Sequence, residues 1–234
     1  MSLVLEGVTA GYDGRVIISD ARLTVRAGQI VGLCGPSGVG KSTLGRVACG
    51  LLEPSAGDVL VDGTPVTTRR GHMDGRVGML FQSPRRSAPP RVRLGDLIAE
   101  PIRLRINRSR AGGDRRAVAQ VVADLAREVG LTSDLLERLP SEVSDGQLQR
   151  ACLARTLAGG PRYLVSDEAT AMLDAVSTAG IAELIRARAD SGLGVLAISH
   201  DRELLDAWAD EVHDIRDLTS DAAVTLPRHL TTGV

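Results

Sequence analysis

Along residues 3 to 34 apolar and polar letters alternate, and the alternation breaks at Gly11, at Asp13-Gly14 and at Ala27-Gly28. A period of two puts successive side chains on opposite faces, so this stretch predicts a short antiparallel sheet leading into a buried strand, IVGLC. A helix is expected from about Ser42 to Leu52, closed by Pro54 and Gly57. VLVDGTPV then reads as a hairpin turning at Asp62-Gly63, and RVGMLFQ as the next strand.

Between about Ser83 and Leu139 the pattern changes. Pro and Arg crowd SPRRSAPPRVR, after which LGDLIAEPIRL and RRAVAQVVADLAREVG carry helical periodicity. This predicts an inserted helical subdomain, with Gly112-Gly113 inside the polar run NRSRAGGDRR as a mobile link between its helices. From Gly146 a helix runs to about Ala158. Strand RYLVS, helix AVSTAGIAELIRARA, strand GVLAIS and helix DRELLDAWADEV then alternate, as α/β units on a parallel sheet do.

Composition narrows what such a fold can serve. The 234 residues, 43% of them hydrophobic, suffice for one large α/β domain carrying an insert, and no internal repeat is evident. Lys and Arg number 28 against 29 Asp and Glu, so net charge gives no reason to expect nucleic acid or an acidic membrane surface as partner. Only four residues are aromatic, which argues against stacking platforms for single-stranded nucleic acid. Cys34, Cys49 and Cys152 are scattered in apolar segments rather than paired as C-x-x-C, and read as buried reduced thiols. MSLVLEGVTA lacks the features of a signal peptide, and no apolar run is long enough to span a bilayer, so any membrane role is expected to be peripheral.

Candidate chemistry sits at the strand ends. GPSGVGKST, residues 35 to 43, fits G-x-x-x-x-G-K-[ST] in full, between a predicted buried strand and a predicted helix. Its glycines permit backbone angles that turn N–H groups toward phosphate oxygens, and the helix start adds positive potential. Gly35, Pro36, Ser37, Gly38, Val39, Gly40, Lys41, Ser42 and Thr43 are thus nucleotide-site candidates, Lys41 toward the outer phosphates and Ser42 toward Mg²⁺. RYLVSDEAT places Asp167 and Glu168 at the end of a strand, where parallel sheets present ligand-binding groups. There Asp167 can support Mg²⁺ and Glu168 can polarise an attacking water. SEVSDGQLQR at 141 to 150 admits two readings: an ordinary capped helix start, or, by its resemblance to the signature with which one large ATPase family grips nucleotide, that signature with Asp145 in place of a glycine.

Taken in order, Tyr12, GPSGVGKST, Gln82 after MLF, VSDGQLQR, LVSDE, AMLD with Asp174, and His200 in LAISH resemble the ATP-binding subunits of ABC transporters. The resemblance covers nearly all of the chain and thins after about Ile215. It implies a P-loop NTPase core with an N-terminal antiparallel β-subdomain, formed by residues 1–82 and 160–234, and a helical signature subdomain at 83–159. It also implies ATP and Mg²⁺ as cofactors, Tyr12 on the adenine, and Gln82 sensing Mg²⁺ and water. Glu168, His200, Gln82 and Lys41 become the catalytic set, with Ser42, Gln82 and Asp167 toward the metal. Ser144, Gly146, Gln147 and Asp174 would meet nucleotide across a two-subunit interface. Read singly, Tyr12 is equally a half-buried strand residue, Gln82 a strand-end amide and His200 a neighbour of a helix cap.

Within that family, FQSPRRSAPPRVRLGDLIAEPIRL resembles the segment of peptide and nickel importer ATPases in which a proline-arginine stretch leads to an acid-proline helix end. This implies a peripheral subunit on the cytoplasmic face of the cell membrane, docked on permease subunits through residues 83 to about 105. A second ATPase subunit, a different homologous chain or a second copy, would complete the motor, and a substrate-binding protein would feed it indirectly. Peptides and nickel or another chelated metal stand equally as solute. The rival functions are a soluble ABC ATPase of a multienzyme complex and a regulatory subunit with weak hydrolysis, for which Asp145 argues.

Overall fold

The computed structural model describes residues 1–66, 75–109, 115–170 and 173–219. The chain opens with β1 (Ser2–Tyr12), β2 (Arg15–Arg26), β3 (Ile30–Cys34), α1 (Lys41–Ala48), β4 (Ala56–Val61), β5 (Thr64–Pro65) and β6 (Val77–Leu80). Four helices follow: α2 (Pro84–Ser87), α3 (Leu94–Ser109), α4 (Arg115–Glu128) and α5 (Asp145–Ala158). It closes through β7 (Tyr163–Asp167), α6 (Ala175–Asp190), β8 (Gly194–Ile198), α7 (Arg202–Trp208), β9 (Glu211–Asp214) and α8 (Ile215–Leu218).

Two sheets result, as the change of period along the sequence predicts. One is antiparallel with strand order β2-β1-β4-β5; the other is parallel with order β6-β7-β8-β3-β9. Strands β3, β6, β7 and β8 are buried along their whole length and mostly apolar because both of their faces are covered, whereas the edge strand β9 is polar and only partly buried. Along β7, Tyr163 and Val165 join the cluster shared with α1 and the antiparallel sheet, whereas Leu164 faces the cluster of α3, α5 and α6. Along β8, Leu196 and Ile198 take the first side, and Val195 and Ala197 the second. Helix α1 is thereby packed between the sheets through Leu44, Val47 and Ala48, which fixes the loop before it.

Three local expectations need correction. Helix α1 ends at Ala48 rather than Leu52, because Gly50 turns left-handed at φ 70° before Pro54 is reached. The acid-proline pair Glu100-Pro101 does not end a helix; α3 runs on to Ser109 with Pro101 inside it. The predicted helix DRELLDAWADEV stops at Trp208, and Glu211–Asp214 pairs with β3 as the edge strand β9. Asp210 fixes that change: its carboxylate accepts from the Ile30 N–H at 2.7 Å while its own N–H donates to the Ile30 carbonyl at 2.9 Å. The Gly112-Gly113 link lies outside the described residues.

Cys34, Cys49 and Cys152 are buried free thiols, and burial pushes Cys152 up to about 11 and Cys49 still further above the usual thiol range. Among the described residues no helix is long and apolar enough to cross a membrane.

Candidate functional site

The phosphate loop leaves the end of β3 and enters α1. Gly40 takes φ 114°, and a Cβ there would lie 2.7 Å from Ile18 Cγ2, so only glycine lets the loop turn so close to β2. Helix α1 has no side-chain cap and no acid in its first turn, which leaves its first N–H groups free for an anion. Lys41 is 5% exposed and donates through Nζ to the carbonyls of Gly35 at 2.8 Å and Pro36 at 3.0 Å. The ammonium is therefore held over the loop by groups that a phosphate can replace.

Ser42 Oγ donates to Asp167 Oδ1 at 2.9 Å, across 125 residues of sequence. Burial raises the Asp167 carboxyl above its ordinary range; the Ser42 bond opposes this and the neighbouring Glu168 charge adds to it. A buried carboxylate beside a hydroxyl is a donor set suited to Mg²⁺, whose adjacent oxygen ligands stand about 3 Å apart. Among the described residues no cluster of three metal-ligating side chains exists, so a cation here would rely on phosphate oxygens and water as well.

Glu168 follows at the strand end in the left-handed region, φ 47°, with its N–H donating to the Ile198 carbonyl at 2.9 Å. A non-glycine residue held there carries about 1–3 kcal/mol of strain, which is kept only where the surroundings over-determine it. Three side chains do so. Gln82 Nε2 donates to Glu168 Oε2 at 2.8 Å, His200 Nδ1 stands 3.4 Å from Oε1, and Lys41 Nζ stands 4.0 Å from Oε1. With Tyr12, Ile17 and Ser37, these groups surround a cleft of about 450 Å³ above the loop, His200 joining through its contact with Glu168. Tyr12 is 39% exposed at its edge and accepts a hydrogen bond from Arg46 Nη1 at 2.9 Å, a tether the sequence reading missed.

The remaining predicted residues lie elsewhere. Ser144 caps α5: its Oγ accepts from the Gln147 N–H at 3.2 Å and Gln147 Oε1 accepts from the Ser144 N–H at 3.0 Å. Gly146 allows α6 close, since a Cβ would meet Ser177 Oγ at 2.9 Å. Asp174 caps α6, accepting from the Ser177 N–H at 2.9 Å and from its hydroxyl at 2.7 Å. None of these four residues lines the cleft within this chain.

A further residue escaped notice. Gln149 on α5 is fully buried, and its Nε2 donates to the carbonyls of Phe81 at 3.1 Å and Ala169 at 2.8 Å, the chain neighbours of Gln82 and Glu168. Its Oε1 has no partner among the described residues. One amide thus ties α5 to both strand ends that carry the cleft. The letters QLQR show only a polar residue in a helix, and both partners lie far off in sequence.

The ABC transporter family model matches residues 18–171, more than half of the chain. The chain belongs to the ABC transporter family. It is an ATP-binding, ATP-hydrolysing domain of that family. It is 36% identical over 203 residues to the nickel import ATP-binding protein NikE of Rhodospirillum rubrum, covering 85% of this chain and 72% of that one. The methionine import ATP-binding protein MetN of Rhizobium meliloti is 42% identical over 209 residues, 87% of this chain and 56% of MetN. A putative peptide import ATP-binding protein of Brucella abortus is 37% identical over 208 residues, 85% of this chain and 61% of its own length. This ABC domain therefore spans between about half and three quarters of those curated relatives. In fold it is similar to the ATP-binding cassette MJ0796, solved as a dimer with ADP and Pi, at TM-score 0.78 and 22% identity, covering 92% of this chain and 94% of that one. A cbiO1 structure from Clostridium perfringens gives TM-score 0.77 at 24% identity, with coverages of 91% and 83%.

Proposed function

We propose that this chain is the ATPase subunit of an ABC importer for peptides or for nickel or another chelated metal, working as a peripheral subunit on the cytoplasmic face of a membrane. The observation that carries the reading is Glu168, held at the end of β7 by Gln82 and His200 beside Lys41. In this reading Lys41 and the loop amides bind the phosphates, and Tyr12 takes the adenine. Ser42, Asp167 and Gln82 hold Mg²⁺, which would neutralise phosphate charge. Glu168 takes the proton of the attacking water, and His200 donates to the phosphate. Residues 83–159 form the signature-bearing helical subdomain. Ser144, Gly146, Gln147 and Asp174 serve nucleotide at the interface with a second ATPase chain, consistent with their absence from the cleft of their own.

The permease side is supported by an apolar groove of about 460 Å³ lined by Phe81, Pro101, Leu104 and Cys152 among others. Phe81 and Leu104 are 36% and 52% exposed there. Phe81 precedes Gln82 in the chain, so a permease segment seated in the groove adjoins the residue that holds Glu168. The relatives' names span nickel, peptide and methionine import, which supports import and leaves the solute to experiment.

The test is reconstitution of the complex recovered through a tag on this chain, assayed with labelled nickel chelates and short peptides. ATP-dependent uptake of one class, lost in Glu168→Gln, is the expected result. Recovery of no membrane protein with a fully active ATPase overturns the transport reading and favours the soluble alternative.

A further inference from the structure

Asp145 puts a carboxylate in the signature at the start of α5, where a phosphate on a second chain is to be bound. The structure gives that charge a specific neighbour. Arg85 Nε stands 2.7 Å from Asp145 Oδ1, in an ion pair that lies off the hydrogen-bonding line and leaves Oδ1 without a formal donor. The other two guanidinium nitrogens make well-formed bonds: Nη1 donates to the Pro140 carbonyl at 2.9 Å and Nη2 to the Val143 carbonyl at 3.2 Å. All three contacts fall on residues 140 to 145, the approach to the signature and its first helical position. Arg85 lies on α2, the short helix that begins at Pro84, two residues after Gln82.

We infer that Arg85 is a positioning residue for the signature: it neutralises Asp145, draws the carboxylate toward α2, and so keeps Ser144, Gly146 and Gln147 usable by an anion. The inference rests on the proposed role of the signature toward a second chain's ATP. As a stabilising contact the pair is minor, because both side chains are about half exposed, 49% and 46%. Its effect lies in the field at the phosphate. An unpaired carboxylate about 8 Å from a phosphate charge disfavours the closed state on the order of tenfold or more at an effective dielectric near 20. The planar fork of arginine explains why one side chain can meet the acid and both carbonyls together.

The experiment is a double-mutant cycle in the complete complex, recovered through a tag on this chain, with Glu168→Gln in this chain so that turnover reports the other nucleotide site. Arg85→Gln should lower that turnover about tenfold or more, with this chain's own ATP affinity within about twofold of native. Adding Asp145→Gly to Arg85→Gln should restore turnover to within about threefold of the Asp145→Gly variant alone, a rescue that a purely structural role for Arg85 does not give. Equal losses in both backgrounds overturn the inference, because Arg85 would then act through something other than the acid. No loss from Arg85→Gln, where Ser144→Arg abolishes turnover, also overturns it and leaves the signature reading standing. Unchanged turnover in Ser144→Arg overturns the signature reading itself. Should Arg85→Gln fail to fold, Asp145→Asn in the native background carries the test: turnover equal to or above native supports the inference, and a tenfold loss sinks it.

Discussion

The phosphate-loop cleft and the signature contain similar residue types, but their polar groups are committed differently. In the cleft, Ser42 binds Asp167 and Gln82 binds Glu168, so residues far apart in sequence already meet. At the signature, Ser144 and Gln147 satisfy one another as a cap, and Asp145 is answered by Arg85. The cleft is assembled across the parallel sheet, whereas the signature is a helix start that completes itself. Folding alone therefore gathers the polar groups of the cleft, and in the proposed function a second chain adds the other half.

The largest effect that can break this contrast is at Glu168. Glu168→Gln keeps the side chain's size and its contact with the loop while removing the base, so turnover at this chain's site should fall at least about a hundredfold with ATP binding retained. Single-turnover hydrolysis in the complex, with the partner's site silenced, measures it. A loss below threefold would mean that the cleft is not where its geometry places the chemistry.

Tyr12 comes next. Tyr12→Ala should weaken nucleotide binding to the isolated chain by about 1–3 kcal/mol if the ring stacks on the base. Tyr12→Phe gives up only the bond from Arg46, about 0.5–1.5 kcal/mol in general and toward the low end at this exposed position. Calorimetric titration with ATP separates the two. Equal losses would make the hydroxyl, and not the ring face, the important part.

How far these sites could be read from sequence differs in the same way. The loop was legible because its function is carried by contiguous letters: the spacing of Gly35, Gly40 and Lys41 states a backbone path whatever surrounds it. The strands β3, β7 and β8 were legible because burial on both faces demands short, mainly apolar runs, interrupted in β7 only at Ser166 and Asp167. β9 was not. LLDAWADEV suits a helix by its own spacing, and the strand depends on pairing with β3 and on Asp210 meeting Ile30. Gln149 and Arg85 were hidden for the same reason, since their partners lie across the fold. Asp145 could be seen as a departure from the signature, but its counter-charge could not.

A smaller effect tests whether the signature is independent of the cleft. Ser144→Ala removes the cap of α5 and should cost the isolated chain about 1 kcal/mol of stability. Its affinity for ATP should stay within twofold of native. Urea denaturation and nucleotide titration of the same preparation check both. A parallel fall in affinity would mean that the Gln149 contacts transmit the state of α5 into the cleft.

The smallest effect concerns stability without nucleotide. Burial raises the Asp167 carboxyl, helped by the Glu168 charge and opposed by the Ser42 bond, so the folded chain holds this proton more tightly than the unfolded chain does. The sign follows from linkage. Below the unfolded value of 3.8 both states are protonated and the group is neutral toward stability. As pH rises from that value through the higher folded one, the unfolded chain ionises freely while the native state must ionise a buried carboxyl, so stability is lost, and the loss is complete once the folded value is passed. Asp167→Asn removes it while keeping a group that can accept from Ser42. The nucleotide-free variant should therefore melt at a higher temperature than the native chain at pH 7, with the difference shrinking as pH falls toward 4. Asp145→Asn should show no such gain, because that carboxylate is 46% exposed and already paired with Arg85. Thermal scans of both variants across the acid range decide it. A matching gain in Asp145→Asn would place a buried, strained charge at the signature too, and the two regions would then differ in location but not in how they are held.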